Sequence, residues 1–212
     1  MSMKICITDR DQAILRYIEE FKSITIEQCR RIFCNEQKRG DVIARRRLNR
    51  LLSYKKIKMD RDKVTNQNVY YMDSKLSFHD LLVMDYYSEL KSLGANILYF
   101  KIKKEWMDKT IISDAFCCFN IDNKIFFDII EVNKTHFPDL DKYKKLYSTS
   151  EPQEFCNKVY QSLGGNDIDI IPRFILIDNV QHKEDPFINQ DVEVIQLDFN
   201  LSQIAKLFLV NQ

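Results

Sequence analysis

Apolar residues recur at helical spacing over the first part of the chain and at alternating or continuous spacing later, which predicts helices first and a sheet afterwards. Ile14, Leu15, Ile18 and Phe21 fit one helix face, and Thr8 precedes acids that suit a positive helix end, so a first helix is expected over about 9 to 21. Thr25 with Gln28 satisfies the capping-box pattern and predicts a second helix to about Phe33, with Ile26, Cys29, Ile32 and Phe33 inward. The short KSI connector between them suits a sharp crossing. Residues 38 to 55, KRGDVIARRRLNRLLSYK, form a third helix whose Ala44, Leu48, Leu51 and Leu52 gather on one side. Arg39, Arg46 and Arg50 fall opposite, flanked by Val42, Asn49 and Ser53, while Arg45 and Arg47 lie at the borders.

After this basic helix, IKMDRD and NVYYMD alternate like two strands, joined by the polar loop KVTNQ. SKLSF reads as a linker, so a first domain is expected over residues 1 to 75 and a second over 76 to 212, the second opening with the amphipathic helix HDLLVMDYYSELKSL. Strands are then expected at NILYFKI, TIISDAFCCFNI, KIFFDIIEV, RFILID and VEVIQLD. A helical interval broken near Ser150 to Pro152 precedes RFILID and closes at Gly164-Gly165, and LSQIAKLFLV is a C-terminal helix. The order α-β-β-β-α-β-β-α describes a mixed α/β domain, and the whole chain is α+β.

Charge changes this picture. The formal net charge of +1 conceals two opposed parts: residues 1 to 75 carry 18 Lys+Arg against 10 Asp+Glu, a balance of +8, and the remainder carries 14 against 21, a balance of −7. The first domain is therefore the candidate polyanion binder, and the acidic second domain is a poor one by charge alone. The start lacks the apolar core of a signal peptide and no later run suits a bilayer, so a cytoplasmic location without membrane partners is expected. Six cysteines without a C-x-x-C pair and three scattered histidines favour reduced thiols over a zinc site, and no metal or other cofactor is expected. No Gly-rich phosphate loop supports a nucleotide.

The three helices followed by a two-stranded hairpin resemble a winged helix-turn-helix, a resemblance resting on helix spacing, the Ile26 to Phe33 packing pattern and R-R-R-L-N-R-L-L entering the hairpin. Such domains place the third helix in the DNA major groove and rest the wing on the backbone. The expected DNA-binding residues are Arg39, Arg45, Arg46, Asn49 and Arg50 on the helix and Lys58, Arg61, Lys63 and Asn66 on the wing, with Arg suited to guanine edges and Asn to adenine.

In the second domain, Asp122-Asn123 lies between two apolar β runs. If it is a two-residue turn, cross-strand partners have residue numbers summing to 245, which sets Asp114 opposite Glu131. Alternation adds Asn133 to the same face. Here the chain resembles the PD-(D/E)-x-K nuclease superfamily, with Ser113-Asp114 standing for Pro-Asp and Glu131-Val132-Asn133 for acid-x-Lys. In that chemistry the acids hold Mg²⁺ and the lysine positions or activates water, so Asn133 removes one part. Lys142, Lys144 or Lys145 is the candidate substitute lysine, and Glu89 a candidate third acid.

Over residues 8 to 160 the combination resembles the replication-relaxation family of bacterial plasmids and integrative conjugative elements, a winged helix fused to a degenerate, restriction-endonuclease-like domain. That resemblance implies a non-enzymatic DNA-binding protein assisting plasmid replication, conjugative transfer or its regulation, with double-stranded DNA and a relaxosome or replication protein as partners. Two alternatives stand beside it: a metal-dependent endonuclease using Asp114 and Glu131, and a transcriptional regulator with a ligand-sensing second domain. Ile204, Leu207, Phe208 and Leu209 of the C-terminal helix serve either a homodimer interface or the core.

Overall fold

The computed structural model describes residues 6 to 133, 140 to 180, 192 to 205 and 208. They form a mixed α+β chain with six helices and two sheets among the described residues, divided into two compact units, Met1–Ser92 and Leu93–Gln212.

The first unit begins with α1 (Asp9–Phe21), where Thr8 and Asp11 close a reciprocal capping box. Three residues, Ser23–Thr25, then form β1, and Thr25 caps α2 (Ile26–Phe33) through a second box with Gln28. The expected connector is thus a buried strand, too short for periodicity to register. Basic α3 (Gly40–Ser53) follows, then β2 (Lys58–Arg61) and β3 (Asn68–Tyr71). β1 and β2 flank β3, both antiparallel, so the expected two-stranded wing is a three-stranded sheet of order β1-β3-β2. Ile14, Ile18, Cys29, Ala44, Leu48 and Leu51 are buried, as helical spacing requires.

α4 (Phe78–Ser92) packs on α2, so this unit extends to Ser92 and the helix expected to open the second domain belongs to the first. Polar side chains make this connection. Gln28, fully buried, donates through Nε2 to Leu81 O at 3.2 Å and to Asp85 Oδ1 at 2.9 Å, while Arg31 meets Glu89 at 2.6 Å. Periodicity counts apolar residues, and this interface is joined by charged and amide groups that it scores as surface.

The second unit is built on β4 (Asn96–Trp106), β5 (Ile111–Ile121), β6 (Lys124–Val132), β7 (Arg173–Ile177) and β8 (Val194–Leu197), in that spatial order. The first three are antiparallel; β7 is parallel to β6 and β8 to β7. Between β6 and β7 lie α5 (Asp141–Tyr147) and α6 (Glu151–Ser162). Phe116 and Cys118 of β5, Phe127 and Ile129 of β6 and Phe174 and Leu176 of β7 join Tyr143, Leu146, Cys156 and Val159 of the helices in one core.

The opposite sheet face holds a buried bidentate pair, Arg173 Nε to Asp128 Oδ1 at 2.8 Å and Nη2 to Oδ2 at 3.1 Å. Phe126 and Phe208 cover the guanidinium, with ring centroids 4.4 and 5.7 Å away. Of the expected C-terminal helix, Ile204 is buried and residues 202 to 205 turn, while Leu207 and Leu209 lie outside the described residues. All six cysteines are free thiols, and among the described residues no helix is long and apolar enough to cross a membrane.

Candidate nucleic-acid interface and carboxylate cluster

The basic helix sorts its charges into two classes. Arg47 is structural: its Nη1 meets Asp11 Oδ2 at 3.3 Å and Thr8 Oγ1 at 3.2 Å, tying α3 to the cap of α1. Arg50, expected to face a groove, donates to Tyr54 Oη at 3.1 Å and to Cys6 O at 2.7 Å, and the Tyr54 bond raises its already high pKa. Arg39, Arg45 and Arg46 are exposed, and among the described residues their side chains make neither an ion pair nor a hydrogen bond. Lys58 and Lys63 on the hairpin are in the same state.

Asn49 is also exposed, but its Oδ1 accepts from Tyr70 Oη at 3.2 Å, which couples α3 to the sheet. The amide nitrogen and the second lone pair of Oδ1 stay available, which are the groups that a bidentate contact with adenine uses.

The hairpin tip is rigidly built. Asp62 Oδ1 accepts from Val64 N at 3.0 Å and Thr65 N at 2.8 Å, and Asn66 takes the left-handed conformation (φ 63) that the turn requires. These bonds to the ionised carboxylate hold the Asp62 pKa below its usual value against the opposing effect of burial. Arg61 Nε donates to Asn66 O at 3.0 Å, so two of the four expected wing contacts help shape the hairpin, while Lys63 stands exposed at its tip. A cleft of about 410 Å³ lies between Arg45 and Asp41 of α3, the start of α2, and Arg61, Asn66 and Asn68 of the hairpin.

The start of α3 depends on Gly40. A Cβ there would lie 2.5 Å from Cys34 O, so only glycine lets the third helix leave so close to the end of the second.

In the second unit, Asp122 and Asn123 both have positive φ (50 and 62) and close a hairpin whose partners run from Ile121–Lys124 to Ala115–Ile130. This is the expected register, and one step beyond it stand Asp114 and Glu131. Asp114 Oδ1 receives Lys103 Nζ at 2.7 Å and its Oδ2 receives Val132 N at 2.8 Å. Glu131 Oε1 receives Lys142 Nζ at 2.8 Å, and its Oε2 accepts from the Tyr143 hydroxyl. Burial and the neighbouring Asp114 charge raise the Glu131 pKa, opposed by Lys142 and Tyr143; burial and the Glu131 charge raise that of Tyr143.

The remaining candidates go elsewhere. Asn133 donates to Asp178 Oδ2 at 2.6 Å, Lys144 pairs with Asp141 at 2.9 Å, and Glu89 pairs with Arg31 in the first unit. Lys103 was invisible to the sequence pattern because β4 was expected to end at Ile102, whereas the strand continues to Trp106 with Lys103 in a left-handed conformation (φ 54).

Mg²⁺ bound by these acids requires open carboxylate oxygens. All four oxygens here already accept hydrogen bonds, two of them from ammonium groups that supply the compensating charge. A divalent cation here would compete with Lys103 and Lys142 for these oxygens. Among the described residues, no group of three or more His, Cys, Asp or Glu side chains is placed to hold a metal ion. Comparison of the chain with protein-family models, with curated proteins and with solved structures finds no match.

Proposed function

We propose that the first unit is a winged helix that binds double-stranded DNA, with α3 in the major groove and the β2-β3 hairpin against the backbone. The observation that carries this reading is the division among the basic side chains. Arg30, Arg31, Arg47 and Lys75 are held by carboxylates, whereas Arg39, Arg45, Arg46, Lys58 and Lys63 project into solvent without a partner. Cations unpaired within the fold are available to phosphates and guanine edges, and their clustering on one helix and hairpin favours a duplex over a small anion.

The second unit, in the same reading, keeps the outline of a PD-(D/E)-x-K nuclease and serves assembly rather than cutting. The resemblance of residues 8 to 160 to replication-relaxation proteins supports a place in the replication or conjugative transfer of a bacterial mobile element, beside a relaxosome or replication protein. Fold-level analogy alone carries that wider role.

Fluorescence anisotropy with labelled duplex DNA tests the binding. The Arg45→Ala/Arg46→Ala variant is expected to fold like the wild type and bind at least tenfold more weakly; unchanged affinity would sink the proposal. A metal-dependent endonuclease is the second reading, favoured by the adjacency of Asp114 and Glu131. Supercoiled plasmid with Mg²⁺ or Mn²⁺ separates the two: cleavage by the wild type and not by Asp114→Ala supports the endonuclease.

A further inference from the structure

The exposed face of α3 is not uniformly charged. Val42 is 53% exposed there, and at about 100° per residue Arg45 and Arg46 lie to either side of it, with Asn49 two turns on. Val42 is not part of the packing stripe of Ala44, Leu48 and Leu51, which is on the other side. A β-branched residue is also a poorer helix former than the Lys, Glu or Ala that an exposed position ordinarily carries. An apolar group in water, framed by arginines that have no partners, is arranged for a surface that is anionic at its edges and apolar at one point.

The major groove has that chemistry. Phosphates border it, guanine presents two acceptors to Arg, and the one apolar group on any base edge is the C5-methyl of thymine. We propose that Val42 is a specificity-determining residue that packs against a thymine methyl in the major groove, and that the recognised sequence carries thymine at that step. The inference rests on the DNA-binding reading above and names what the helix reads.

Uracil differs from thymine by this methyl alone, which makes the test direct. Duplexes bound by the full chain are selected from a random library, and each thymine of the selected site is replaced in turn by deoxyuridine. Wild-type protein is expected to lose about fourfold in affinity at one thymine of each bound half-site, the effect of one buried methyl. Val42→Ala, which removes no core contact and should melt like the wild type, is expected to bind the thymine and uracil duplexes within twofold of each other.

Uniform tolerance of uracil overturns the inference, as does a uracil penalty that persists in Val42→Ala, or selection of sites without any preferred thymine. Each of these leaves DNA binding intact. Failure to bind any duplex overturns the proposed function itself, and the reading of Val42 with it.

Discussion

Lys142 on α5 places its ammonium 2.8 Å from Oε1 of Glu131, and Lys103 does the same to Asp114 at 2.7 Å. Two carboxylates at the end of a sheet are thereby balanced by two lysines from different elements. Glu131 is the more dependent of the two acids, since burial and the Asp114 charge already disfavour its ionised form. Replacing Lys142 by Met removes a charge-assisted bond and should destabilise the chain by about 2 kcal/mol near neutral pH. The loss should shrink as the pH falls and Glu131 takes up a proton, which urea denaturation at two pH values will show.

The Asp128–Arg173 pair on the other sheet face is fully enclosed, with side-chain exposures of 0% and 8%. Asp128→Ala strands a buried guanidinium and should cost about 3–5 kcal/mol. A double variant, Asp128→Leu/Arg173→Met, removes both charges and should recover a large part of that loss. Equal destabilisation of single and double variants in denaturant titrations would show that the pair is not what the core depends on.

Asp85 gives the first unit a pH dependence. Burial raises its pKa from the ordinary 3.8 to about 6, against the lowering effects of Gln28 and Arg31. The folded chain therefore holds this proton more tightly than the unfolded chain. Its stabilising contribution is complete below about pH 4 and is lost as the pH rises through about 6. Asp85→Asn keeps an acceptor for Gln28 and removes the titration. Its stability relative to wild type should rise between pH 4 and 6 and level off above, measured by thermal melts across that range.

Gly40→Ala tests the helix-to-helix turn. The added methyl meets a backbone oxygen that cannot swing away, so a loss of about 1–3 kcal/mol and a lower melting temperature are expected. A melting temperature equal to wild type would mean that α3 can shift without cost.

Arg39, Arg45, Arg46, Lys58 and Lys63 predict the salt dependence of DNA binding. With all five neutralising phosphates, the logarithm of affinity should fall against the logarithm of salt with a slope of about −4 to −5. Removing Lys63 at the hairpin tip should reduce that slope by about one, with little change in sequence preference.

Much of this is legible in the sequence. The bounds of α1, the capping box at Thr25 and the hairpin register linking Asp114 to Glu131 depend on residues close in sequence, where spacing, cap chemistry and turn type dictate the local backbone. Even the acid pair follows from local information, because a two-residue turn fixes every partner above it.

Long-range partner choice was not legible. Nothing in R-R-R-L-N-R tells which arginine meets Asp11, which turns to Tyr54 and which stays free, because the deciding groups lie on other elements. The same holds for Glu89, drawn to Arg31, and for Lys103 and Lys142, which converge on neighbouring carboxylates from β4 and α5. Spacing, caps and turn chemistry were enough for most helices and strands, the charge division and the β5-β6 hairpin. Only the tertiary structure decided which charges are spent inside the fold and which remain for a partner, because ion pairing depends on distances of a few ångströms between groups that the chain sets tens of residues apart.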